Sequence, residues 1–110
     1  MSGRPAAALP SLDRLRIERA LPRRERYRYV SPRVEAEGAG WKIVSPNCSR
    51  NIDAQGGDIA IAWLLPNGQG RWLLHARDHR RQCWVLRRAD LGLADALGLV
   101  CADTDREYWQ

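Results

Sequence analysis

An α+β domain built on an antiparallel sheet of four to five strands is what the sequence predicts. Three observations carry that expectation. Residues 58–88 hold three short apolar runs separated by two polar turns, the pattern of an antiparallel meander at the centre of a sheet. Residues from about 90 to 101 then change to a helical period, and residues from about 12 to 21 show a helical pattern ahead of the strands. A sheet with one apolar face must be covered, so the C-terminal helix is expected to cover it, with the short N-terminal helix as a second candidate.

The elements follow in order. "MSGRPAAALP" (1–10) is small, contains prolines and has no apolar h-region, so it is expected to be a flexible leader rather than a signal peptide. The remainder, 11–110, is read as a single domain. In "SLDRLRIERAL" (11–21), Ser11 is the expected N-cap, Asp13 opposes the helix dipole, and Pro22 ends the helix. "RYRYV" (26–30) alternates arginine with aromatic residues and reads as a strand, while "RVEAEGAG" (33–40) reads as an edge strand or a loop. "GWKIVS" (40–45) puts Trp41, Ile43 and Ser45 on one face, with Lys42 and Val44 on the other.

Pro46 stops that strand, and the polar loop "SPNCSRNID" (45–53) follows. In "GGDIAIAWLL" (56–65), Ile59, Ile61 and Trp63 are expected to share one side. "PNGQG" and "RDHRRQ" are turns on composition, flanking the strand "RWLLHA" (71–76) and preceding "CWVLRR" (83–88). Asp90 is the expected N-cap of the last helix, whose apolar face holds Leu91, Ala94, Leu97 and Cys101. In "ADTDREYWQ" (102–110), Tyr108 and Trp109 have the apolar area to fold back onto the domain. The chain has no Phe and only one Met, so Trp41, Trp63, Trp72 and Trp84 are taken as core anchors.

No run approaches the ~20 apolar residues that a spanning helix needs, and no membrane partner is expected. Three widely spaced cysteines, Cys48, Cys83 and Cys101, are not a disulfide framework; free thiols and a cytoplasmic location are the expectation.

The charge is +5 in total and strongly blocked along the chain. Residues 1–34 carry nine arginines against three acids, and residues 71–88 carry six against one. Residues 89–110 reverse this, with five acids and one arginine. Arginine suits bidentate binding of carboxylate and phosphate.

Catalytic patterns are weak. Cys48 has Arg50 two residues on, but a phosphatase-type arginine would stand six residues on, where the chain has Ala54. His75 and His79 are the one pair at ligand spacing, and they run from a strand into a turn, unlike the close pairs of structural zinc sites. The glycines of "NGQG" join two strands and lack the GK[ST] ending of a phosphate loop. No enzyme activity, metal or cofactor is therefore expected.

What the pattern favours is a small soluble interaction module. Arg26, Arg28, Arg50, Arg77, Arg80 and Arg81 are the candidates for contacting an anion or a partner, the partner being an acidic protein or a second copy of the chain. The alternative is a nucleic-acid-binding module in which the two arginine blocks hold phosphates while Tyr27 and Tyr29 stack on bases.

Overall fold

A computed structural model describes residues 11–47 and 57–110. Helix α1 (Leu12–Ala20) leads through a 3₁₀ turn (Leu21–Arg23) to five strands: β1 (Arg33–Glu37), β2 (Gly40–Pro46), β3 (Asp58–Pro66), β4 (Trp72–Asp78) and β5 (Cys83–Leu91). Helix α2 (Leu93–Ala102) follows. The strands form one sheet in chain order, each antiparallel to the next. The α+β expectation holds, with five strands and with residues 33–37 as an edge strand.

Local chemistry explains the boundaries. The Ser11 hydroxyl accepts from the Asp13 and Arg14 amides, which caps α1. Pro22 lies in the 3₁₀ turn that ends it. β1 and β2 are joined by Gly38 and Ala39, with Gly38 at φ +57°, the left-handed entry that a tight hairpin needs. Gly40 is required by a close approach: a Cβ there would stand 2.2 Å from Leu64 O.

One irregularity sets the two faces of the sheet. Ile43 pairs with Ala62 and Val44 with Ala60, so Ile61 is the extra residue of a bulge in β3. Ile61 and Ala62 both turn into the core and are fully buried. Past the bulge the alternation has switched, so Leu64 is buried while Trp63 turns to the opposite face, beside His75 and Trp84. Ile59, Ile61 and Trp63 therefore do not share one side, because the bulge separates Trp63 from the two isoleucines. Trp84 is likewise half-buried on the far face, so neither Trp63 nor Trp84 anchors the core. Trp72 does, and Trp41 packs against it from the margin.

The core joins Ile17, Ala20 and Leu21 to Val34, Ile43, Leu64 and Leu74 of the sheet and to Leu93, Ala96, Leu97 and Val100 of α2. Tyr108 and Trp109 complete it, and Trp109 is the largest side chain with no exposed surface. Its indole N–H donates to Val100 O at 2.9 Å, which answers the polar requirement of a buried tryptophan.

Two expected elements differ. β5 runs on to Leu91, and Asp90 sits inside it at φ +58°, where the β4–β5 register shifts. The N-cap of α2 is Gly92, which offers no side chain for capping. Residues 26–30 are not a strand, for a reason that belongs to the arginines.

Candidate functional site

Residues 24–30 are a loop wound around one guanidinium. Arg24 is buried and donates to Leu21 O at 2.9 Å, to Tyr27 O at 2.9 Å and to Val30 O. Its guanidinium also stands 5.8 Å from the centre of the Trp109 ring. Carbonyls that a neighbouring strand would have engaged through its N–H groups are held by a side chain instead. Tyr27 takes φ +59° to close the loop. The arginine–tyrosine alternation thus imitates a strand in a segment that cannot pair as one.

This loop divides its candidate residues. Arg26 donates to Asp103 O and lies 3.8 Å from the Asp103 carboxylate, so it clamps the end of α2. Tyr27 packs its ring 5.4 Å from that of Trp109 and donates its hydroxyl to Gln110 O at 2.6 Å. Arg28 and Tyr29 point outward, Tyr29 being fully exposed. Arg50 and Cys48 lie outside the described residues.

The β4–β5 hairpin holds the other candidates. Asp78 Oδ1 accepts from the Arg80 and Arg81 amides, at 3.1 and 3.0 Å, and so shapes the turn. The opposite side is tied by Gln82, at φ +55°, whose amide donates to His79 O. With the backbone fixed in this way, Arg80 and Arg81 project into solvent. Arg77 lies over the Trp84 ring at 5.0 Å, its charge still presented at the hairpin's edge.

The C-terminal segment completes the site. Asp103, buried at φ +43°, accepts from the amides of Glu107, Tyr108 and Trp109. That folds residues 103–110 back toward the sheet, and the Gln110 amide donates to Arg77 O on β4. Between this segment and the hairpin lies a concavity of about 830 Å³. Arg77, Arg80 and Arg81 reach it from the hairpin, and Arg106 reaches it from the segment. His79 also lines it; its Nε2 is buried with no partner among the described residues. Burial, seconded by Arg77, lowers the His79 pKa below the ordinary histidine value.

Arg106 is the residue that sequence reasoning missed. It stands alone among five acids in residues 89–110, and no spacing ties it to residues 77–81. Only the fold of the segment around Asp103 brings them together.

The acids of residues 89–110 neutralise part of both basic blocks within the chain. Asp103 meets Arg26, Asp90 meets Arg71 at 3.1 Å, and Glu107 meets Arg87 and Arg88 at 2.6 and 3.6 Å. The arginine side chains without an ion pair or hydrogen bond among the described residues are Arg19, Arg23, Arg28, Arg80, Arg81 and Arg106.

The remaining nucleophiles and ligand types are scattered. Cys83 is exposed at the start of β5, and Cys101 is buried, its thiol pKa pushed up by burial and its Sγ donating to Ala20 O. His75 stacks on Trp63 with ring centres 4.6 Å apart. Among the described residues, no three His, Cys, Asp or Glu side chains come together as a metal site. No helix among them is long and apolar enough to cross a membrane.

Fold and site define a small α+β domain: a five-stranded meander with both helices on one face and an arginine-bearing hairpin facing its own C-terminal segment. The chain belongs to the family described as "Domain of unknown function (DUF3024)", whose family model matches residues 5–110. No curated protein and no solved structure matches it.

Proposed function

We propose that this domain is a non-enzymatic interaction module that recognises an acidic protein partner at the hairpin concavity. The observation carrying this reading is the convergence of Arg80, Arg81 and Arg106 on one hollow, none of them ion-paired among the described residues. The forked donors of arginine match carboxylates, and the planar guanidinium lowers the entropy lost per hydrogen bond formed.

The test is binding of a fluorescein-labelled poly-glutamate peptide, followed by anisotropy at low and physiological salt. The double variant Arg80→Glu/Arg81→Glu is expected to weaken binding by about a hundredfold at low salt, roughly tenfold for each reversed charge. Unchanged affinity in that variant ends the proposal.

A second reading rests on Arg28 and Tyr29, which are adjacent and exposed. A base stacking on Tyr29 with Arg28 on its phosphate would make this loop a single-strand nucleic-acid contact. Tyr29→Ala would then weaken binding of an oligothymidine probe about tenfold while leaving the acidic peptide unaffected.

A further inference from the structure

A second hollow lies between α1 and α2. It is a groove of about 630 Å³ and shares no residue with the hairpin concavity. Its floor is apolar, made by Ala20, Leu93, Leu97 and Cys101. One wall carries Arg16, Arg19 and Arg23, projected from α1 and the turn after it. Arg19 and Arg23 have no partner among the described residues, and Arg16 has only a 3.7 Å contact with Asp13. Glu25 is the one acid in the lining among the described residues.

We propose that this groove is the docking site for a helix of an acidic partner protein, one with an apolar stripe flanked on one side by Asp or Glu. Shape and charge both select that occupant. The lining follows α2 from Leu93 to Ala102, ten residues, so the groove runs for roughly 15 Å along that helix, two to three turns of a bound helix. That is the length over which apolar anchors at i, i+3 or i+4 and i+7 engage a groove. The apolar floor rewards burial of the stripe, and the arginine wall rewards carboxylates along one edge. A second copy of this chain fits poorly. The exposed side of its α1 carries Arg14, Arg16 and Arg19 beside Leu12 and Leu15, so a symmetric pair would set those arginines against the arginine wall of the groove. The inference extends the acidic-partner reading to a separate surface and stands on different residues, so the two fail separately.

Gly98 makes the test clean. It lines the groove from α2, and a Cβ there would meet nothing within 4 Å. The Cβ of Gly98→Leu therefore meets no obstacle while the rest of the side chain occupies the groove over its apolar floor, and leucine is the better helix former, so the melting temperature should hold or rise. The probe is a labelled synthetic helix of about 14 residues with leucines at i, i+3 and i+7 and glutamates along one edge. Wild type should bind it, Gly98→Leu should weaken binding at least about tenfold, and Arg19→Glu/Arg23→Glu should do the same. Arg80→Glu/Arg81→Glu should leave it within about twofold. A scrambled peptide of the same composition should bind about tenfold more weakly, because it presents no stripe. No binding, equal binding by Gly98→Leu, or loss only in the hairpin variant each overturns the groove. So does a homodimer in sedimentation that Gly98→Leu dissolves, because the occupant would then be a second copy.

Discussion

Asp103 is the residue on which the C-terminal segment turns, and substituting it tests how the candidate site is assembled. Its carboxylate is buried and accepts from Glu107 N at 2.7 Å, Trp109 N at 2.8 Å and Tyr108 N at 3.2 Å, with Arg26 alongside. Hydrogen bonds to a charged group contribute about 1.5–3 kcal/mol each, so three at the low end give about 4–5 kcal/mol. The variant could avoid that loss only by releasing the segment. Release would return Tyr108 and Trp109 to water, at roughly 150–250 Å² each, or about 4–6 kcal/mol per ring. Release is the costlier route, so the segment stays docked and the loss falls on the bonds. Asp103→Ala is therefore expected to cost about 4–5 kcal/mol, a large part of the roughly 5–15 kcal/mol that holds a domain folded. Asp103→Asn keeps one acceptor oxygen and tolerates the left-handed backbone, so it should cost about half as much. Urea unfolding followed by tryptophan fluorescence measures both. The exposed neighbour substitution Asp105→Asn, expected to stay within about 0.5 kcal/mol, is the control. Asp103→Asn within about 1 kcal/mol of wild type would refute the reasoning, because the carboxylate would not then be what organises the segment.

Gly40→Ala places a Cβ 2.2 Å from Leu64 O and 2.9 Å from Leu65 Cα, so β2 must move away from β3; a loss of about 2–3 kcal/mol in urea unfolding is expected. His79 has its folded pKa depressed, chiefly by burial, so its contribution to stability is complete above the unfolded value of about 6.5 and is lost as pH falls below it. Urea midpoints from pH 7.5 down to about 5 should decline in wild type by more than in His79→Gln. Tyr108 buries a hydroxyl with no partner among the described residues, and burial raises its pKa to about 12; Tyr108→Phe should be neutral or stabilising by up to ~1 kcal/mol in thermal melts. Glu107→Gln removes the anion held by Arg87 and Arg88, so affinity for the acidic peptide should rise about threefold and its salt dependence should steepen.

What was legible in the sequence depended on repetition. β3, β4 and β5 declare themselves because period-2 runs alternate with turn residues, and α1 because Ser11 stands where a cap must. The hairpin was readable as a turn bearing Arg77, Arg80 and Arg81, since Asp78 is a turn former on local grounds. Single-residue events were not readable. The bulge at Ile61 adds one residue to an unbroken apolar run, with no glycine or proline to mark it, yet it sends Trp63 to the other face. Asp90 has the composition of an N-cap, but the bulged end of β5 claimed it. Arg26 and Tyr27 read as surface residues because their partners, Asp103 and Gln110, are 77 and 83 positions away.

The charge blocks show why composition pointed to a basic surface without locating it. An exposed ion pair such as Arg71–Asp90 contributes little to stability, about 0–1 kcal/mol. It does cancel the local field. The acids of residues 89–110 thus act mainly as an editor of the arginines: Asp103 takes Arg26 into the structure, and Asp90 and Glu107 quench Arg71, Arg87 and Arg88. Arg24 is taken up by carbonyls. What escapes is grouped mainly in two places, Arg80, Arg81 and Arg106 around the hairpin hollow, and Arg19 and Arg23 on the groove wall. A chain that needed only a high net charge for solubility would gain nothing from such pairing, because pairing lowers the field it depends on. Concentrating the unpaired arginines at two concave surfaces is what the proposed recognition of an acidic partner calls for. Removing one of the quenching acids is therefore the sharper probe of function, since it changes the field at a hollow while leaving the fold in place.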